Sequence, residues 1–218
     1  LKREVWDQLM SLLAEWAKEF DPPAVTKEAQ QSKDPFRVLI ATVLSARTKD
    51  EVTYESATRL FRLASTPEAM ANLSEEKIAE AIKPVNFYVT KAKRVKQIAG
   101  ILVTKHNGKV PEDLETLLTL PGVGRKTANL VLAEGHGLDG VCVDTHVHRI
   151  LNRLGLAKTK KPVETEFFLR KVLPKEYWVK INTYLVSFGQ RVCTPVSPFC
   201  SQCVISSLCK KVGVGRHR

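Results

Sequence analysis

Apolar positions at Trp6, Leu9, Leu13, Trp16 and Phe20 recur at helical spacing, and Asp21-Pro22-Pro23 stops the run. The same pattern continues along the chain. Asp34-Pro35 joins a capping carboxylate to a proline in the first helical position, and residues 36–44 are apolar nearly all round, as in a buried central helix. Thr66-Pro67 repeats that start signal. Further helical patterns cover 51–63, 75–82 and 88–106; the last keeps Tyr88, Ala92, Val95, Ala99 and Leu102 on one face, and Gly108 and Pro111 end it. Shorter helices are predicted over 113–118, 126–134 and 145–154, with Gly135 and Gly155 as C-terminal caps of the last two. Helices over 164–172 and 176–189 precede a cysteine loop and a basic tail, 210–218. Strand-like alternation is absent apart from the short apolar run 141–143, so the predicted fold class is all-α, without internal repeats or low-complexity linkers.

At 218 residues the chain can build one core or two small lobes sharing a cleft. Lys and Arg number 34 against 23 Asp and Glu, a formal +11 that suits a polyanionic partner, although charge alone does not separate nucleic-acid binding from a merely basic surface. No apolar run reaches membrane-spanning length and no signal-peptide pattern follows Leu1, so an intracellular protein without membrane contact is expected, as is, from the start at Leu1, a trimmed chain. Cys142 stands alone, whereas Cys193, Cys200, Cys203 and Cys209 crowd into one short loop. In an intracellular basic chain, metal or cluster ligation is the better reading than disulfides. The spacing C-x6-C-x2-C-x5-C fits tetrahedral zinc or a 4Fe-4S cluster, and by itself leaves both open.

Residues 117–128 read as helix, tight turn and second helix, with Leu120-Pro121-Gly122-Val123-Gly124-Arg125-Lys126 at their centre and the small Ala128 allowing close packing. Glycines permit positive φ and leave backbone N–H groups facing outward at a helix N-terminus, a geometry that binds phosphate. This is the helix-hairpin-helix pattern. Lys126 at the start of the second helix is either one more phosphate contact or a nucleophile; the latter role requires the neutral amine, a form that partial burial favours. Asp144, in Val143-Asp144-Thr145-His146-Val147-His148-Arg149, is expected to cap a helix, and a carboxylate held in that way can also serve catalysis. His146 and His148, two apart on a helix, face different sides and are read as structural or DNA-facing rather than as a metal pair.

With these three elements in this order, the sequence resembles the endonuclease III family of the helix-hairpin-helix DNA glycosylases. Leu44-Ser45-Ala46, the hairpin from Leu120 to Asn129, Val143 to Arg149, Phe188-Gly189 and the cysteine spacing all match, and the likeness runs from about Pro35 to Cys209. The resemblance implies a six-helix barrel lobe with the hairpin, about residues 28–138. A second lobe, residues 1–27 and 139–218, would carry a 4Fe-4S cluster on Cys193, Cys200, Cys203 and Cys209, with DNA in the cleft between the two. It implies a bifunctional DNA glycosylase and AP lyase of base excision repair that removes damaged, in particular oxidised, pyrimidines. Lys126 matches the nucleophilic lysine and Asp144 the catalytic aspartate; Leu120, Gly122, Val123, Gly124, Arg125 and His146 are implied to meet the DNA. A monomer is expected, acting on double-stranded DNA with damaged bases or abasic sites, in the cytoplasm or nucleoid of a prokaryote or the nucleus or mitochondrion of a eukaryote.

The chain also departs from the family pattern. Arg47 stands where many relatives have the glutamine that fills the gap left by a flipped base, and an arginine there can reach guanine edges, so a different opposite-base preference is expected. In Val85-Asn86-Phe87-Tyr88, which matches the loop with an intercalating wedge, Asn86 replaces the common glycine and Phe87 the common leucine. Asn suits a residue at positive φ, and Phe87 is either a larger wedge or a core aromatic. Residues 194–199 carry no basic side chain, so phosphate contact falls to the tail 210–218 or is absent. Two rival readings remain: a mismatch-specific glycosylase of the same superfamily, which generally lacks the lysine, and a non-catalytic DNA-binding or electron-transfer protein, which needs neither Lys126 nor Asp144.

Overall fold

The structure, a computed structural model, describes residues 2–218, and among them every regular element is helical. In chain order these are α1 (Arg3–Ala17), α2 (Ala24–Ser32), α3 (Pro35–Ser45), α4 (Asp50–Leu63), α5 (Pro67–Asn72), α6 (Glu75–Ile82), α7 (Tyr88–His106), α8 (Leu114–Leu118) and α9 (Arg125–Leu130). A π turn, Val131–Gly135, prolongs α9; then follow α10 (Thr145–Leu154), α11 (Pro162–Val172) and α12 (Trp178–Arg191). The all-α expectation holds. The chain divides into two compact units, one from the segment up to Pro23 with Val141–Arg218, the other Ala24–Gly140. The change of unit therefore falls before α2 rather than after residue 27, because α2 packs whole against α3 and α4.

In the second unit α3 is the central element. The Asp34 carboxylate accepts the Phe36 N–H at 2.9 Å and Pro35 occupies the first turn, so the start is fixed by local chemistry. Every residue from Val38 to Leu44 is buried, enclosed by α2, α4, α7 and α9 with its π turn. Helix α2 has no counterpart in the sequence reading, and its buried face shows why. Thr26 and Glu28 sit there beside Ala24, Val25 and Ala29; Thr26 Oγ1 donates to Glu134 Oε1 at 2.8 Å, and Glu28 pairs with Arg37 at 2.7 Å. Polar residues satisfied by distant partners hide the apolar period that marks an amphipathic helix. Gly135 does not cap in the left-handed region as expected. It closes the π turn, and a Cβ there would stand 3.2 Å from Pro35 Cα, so close approach to α3 explains this glycine.

The first unit gathers Trp6, Leu9 and Leu13 of α1, Val147, Ile150, Leu151 and Leu154 of α10, and Ile181, Leu185 and Phe188 of α12 in one core. The run 141–143 forms no strand; it is a buried extended segment whose Cys142 carbonyl accepts from Asn182 Nδ2 at 3.3 Å. Gly155 caps α10 in the left-handed conformation, φ 75°. At Gly189 a Cβ would lie 2.5 Å from His146 Nδ1, so glycine there lets α12 pass close to α10. No described helix is long and apolar enough to cross a membrane.

Candidate functional site

The hairpin is built from α8, a tight turn and α9. Asp113 caps α8 through the Thr116 N–H at 2.8 Å, and the Val123 N–H closes the turn onto the Leu120 carbonyl at 3.1 Å. Leu120, Val123 and Ala128 are buried and anchor the turn to its unit. Gly122 has φ 75° and requires glycine, the more so because a Cβ would meet the Arg94 side chain at 2.7 Å. Gly124 does not share that requirement: its φ is −98° and the space around it is open. As the residue before α9 it offers no side chain to the N–H groups of the first turn, which lack partners within a helix. Arg125 is half-exposed and Lys126 exposed, both in that turn. The partial burial expected of Lys126 is thus not found.

Asp144 is buried, 8% exposed, and caps α10: its Oδ1 accepts the N–H groups of His146 and Val147, both at 2.9 Å. The half-buried Arg149, on the next turn, interacts electrostatically with it; burial pulls Arg149 below its ordinary value, while Cys193 and Asp144 pull the other way. His146 Nδ1 lies 3.0 Å from Arg149 Nη2, and His148 Nδ1 lies 2.7 Å from Thr165 Oγ1. The two histidines therefore serve different neighbours, as their spacing predicted.

Arg47 and Phe87 both hold left-handed backbone, φ 56° and 58°, and the Arg47 guanidinium lies over the Phe87 ring, 5.5 Å from its centroid. Phe87 is 61% exposed, which removes the core-aromatic alternative. The expected positive φ at Asn86 falls instead on Phe87, and the Asn86 amide donates to the Arg47 carbonyl.

Cys193, Cys200, Cys203 and Cys209 line one cavity, walled by Ile150, Leu154, Phe188 and Phe199. Among the described residues no three Cys, His, Asp or Glu side chains already stand at metal-ligand spacing, but the four sulfurs act on one another electrostatically and share the cavity. Donors face them: Arg153 Nη1 is 3.4 Å from Cys193 Sγ and the Lys211 N–H 3.3 Å from Cys209 Sγ. Burial pushes the Cys203 thiol up to about 11. Four thiols in an apolar cavity with N–H donors suit a thiolate-bound metal centre, which favours the anionic form that burial alone opposes. The tail is not a loose basic end, since the Val212 N–H donates to the Arg153 carbonyl at 2.9 Å and Arg218 lies over the Phe199 ring at 3.8 Å.

Residues 40–175 match the family of HhH-GPD superfamily base excision DNA repair proteins. Endonuclease III of Thermotoga maritima is 50% identical over 177 residues, 81% of this chain and 83% of that protein. The chain belongs to the endonuclease III family. It is a base excision repair DNA glycosylase and lyase. A chloroplastic endonuclease III homologue of Arabidopsis thaliana is 46% identical over 183 residues, 80% of this chain, which spans about half (48%) of that protein's length. A trapped covalent endonuclease III–DNA intermediate superposes with a TM-score of 0.78 at 34% identity, covering 94% of this chain and 96% of that one.

Within this endonuclease III fold two basic residues of α7 escaped the sequence reading. Arg94 is exposed beside Gly122 of the hairpin, and Lys91 is buried, its Nζ donating to the carbonyls of Leu44 and Ala46. By spacing, Lys91 stands three residues after Tyr88 and four before Val95, at the edge of the apolar face of α7, whereas Lys93 and Arg94 fall outside that face. That spacing does not reveal which acceptors the buried lysine meets.

Proposed function

We propose that this enzyme excises oxidised pyrimidines from duplex DNA through an imine at Lys126 and cleaves the strand by β-elimination. The observation that carries the reading is an exposed lysine in the first turn of the hairpin's second helix, beside backbone donors suited to phosphate. A base inside the stack is out of reach, so the damaged nucleotide swings out, at least cost for lesions already poorly stacked or paired. Phe87 stacks into the space it leaves and Arg47 donates to the orphaned base edges, while the backbone at Gly122, Gly124 and Arg125 holds phosphates, the turn being kept in shape by Leu120 and Val123. His146 is a further DNA contact at the start of α10.

In the chemical step the neutral Lys126 Nζ bonds to sugar C1′ as the bond from C1′ to the base breaks and the base leaves with a proton. Asp144 supports the developing positive charge and the proton transfers. Ring opening gives the imine, which acts as an electron sink; loss of a C2′ proton then breaks the bond from C3′ to the phosphate oxygen. Cys193, Cys200, Cys203 and Cys209 would hold the 4Fe-4S cluster through their thiolates, and when bound its irons would cross-link the loop to its unit. Lys126 also speaks against mismatch-specific excision, and Lys126 with Asp144 against a purely DNA-binding role.

Borohydride trapping on abasic duplex tests the reading. Lys126→Ala should keep abasic-DNA binding and lose the covalent adduct; undiminished trapping would take Lys126 out of the nucleophile role. A panel of lesions opposite each of the four bases measures the substrate range.

A further inference from the structure

We propose that Lys91 is a positioning residue for base recognition: from beneath the turn between α3 and α4, its side chain holds the backbone on both sides of Arg47, and with it the pairing of Arg47 with Phe87. The inference rests on the reading of Arg47 and Phe87 as the residues that enter the DNA.

Lys91 is 3% exposed. Its Nζ donates to the carbonyl of Leu44 at 2.7 Å, to that of Ala46 at 2.6 Å and to Thr48 Oγ1 at 3.1 Å. An ammonium has three donors, and three acceptors take them, so this lysine has neither the exposure nor the hydrogen to serve phosphate. The carbonyls it serves lie at the C-terminal end of α3, where helix carbonyls lack partners and favour a cation. Burying a charge is costly unless it is bonded in this way, so losing any of the three acceptors would leave a buried donor unpaired.

Arg47 lies between two of the clamped residues, Ala46 and Thr48. Its left-handed backbone is unfavourable for an L-residue other than glycine and persists only where the surroundings over-determine it. Here Lys91 fixes the backbone on one side and the hydroxyl on the other, and the Asn86 amide takes the Arg47 carbonyl. The same lysine also reaches Phe87, because the Lys91 backbone N–H donates to the Phe87 carbonyl at 2.9 Å. One residue thus ties the α3 end to the start of α7, through its side chain on one side and its main chain on the other. Preorganisation of this kind spares the pair an ordering cost when DNA binds.

The test uses the full chain, a duplex with an oxidised pyrimidine opposite 2-aminopurine, and a single-stranded abasic oligonucleotide whose cleavage needs no wedge. Lys91→Met is expected to lower lesion excision and the 2-aminopurine signal by about tenfold or more, a scale that small misplacements of binding groups reach. Strand cleavage of the abasic oligonucleotide should stay near wild type. In an Arg47→Ala/Phe87→Ala background the same change should have almost no further effect on excision, since the pair it positions is gone. If that double variant itself excises normally, the reading beneath the proposal fails. If it is impaired while Lys91→Met excises normally, or loses the same factor in both backgrounds, the positioning role is overturned. Should Lys91→Met not fold, Thr48→Val decides, because it keeps the lysine and removes the third acceptor together with that hydroxyl's 3.4 Å bond to the Ala46 carbonyl: reduced excision with normal abasic cleavage supports the clamp, and wild-type excision overturns it.

Discussion

The Arg47 guanidinium lies 5.5 Å from the centroid of the Phe87 ring, and both residues are held in the left-handed region at φ 56° and 58°. A ring 61% exposed contributes little to folding. Phe87→Ala should therefore change stability by less than about 0.5 kcal/mol. Lesion binding should weaken by on the order of tenfold, the scale of one stacked base at ~1–3 kcal/mol. The salt dependence of binding should stay as in wild type, because no charge is lost. Excision kinetics with a salt titration check this, and unchanged excision would make the ring dispensable.

Both capping bonds at α10 fall on Asp144 Oδ1. An asparagine oxygen can accept the same two N–H groups, so Asp144→Asn should keep the melting temperature close to wild type, whereas Asp144→Ala should cost roughly 1 kcal/mol. Turnover of the Asn variant should nevertheless fall by about 10²-fold or more if the carboxylate takes part in proton transfer. Melting curves and single-turnover excision on the two variants separate cap from catalyst. An Asn variant with wild-type turnover leaves only the cap.

Iron and sulfide in equal amounts, with broad visible absorbance, are expected in protein purified without air. Serine at any one of Cys193, Cys200, Cys203 or Cys209 should lower the iron content, and Cys142→Ala, buried beside Val143 outside that cavity, should not. Stoichiometric zinc without iron would replace the cluster assignment with a zinc site.

Burial, with Arg94 adding to it, holds Lys91 at about 8, below its ordinary 10.5. Between those two pH values the unfolded chain binds more protons than the folded one, so this group makes stability rise with pH, by up to about 3 kcal/mol across the window. Below pH 8 both states carry the proton and the burial cost is present in full. Urea denaturation of wild type and Lys91→Met from about pH 7.5 to 10.5 should therefore give curves that diverge in slope, wild type rising the more steeply. Parallel curves would mean that the buried ammonium carries no such cost.

Much of this molecule is written locally. The starts of α3, α5 and α10 were legible because capping by Asp34, Thr66 and Asp144 involves residues two or three apart, and the hairpin because its glycine turn and helix starts are contiguous. The clustering of four cysteines within one loop is likewise a property of spacing. What the sequence by itself could not determine depends on partners far along the chain. Helix α2 buries Glu28 against Arg37 and Thr26 against Glu134, contacts that erase its apolar period. Gly135 serves an approach to Pro35 across the unit rather than a cap. Lys91 borders the apolar face of α7 by spacing, but its acceptors, among them the carbonyl of Ala46, 45 positions away, are set only by the fold. A buried charge is tolerated only where distant acceptors converge on it, and that convergence belongs to the tertiary structure alone.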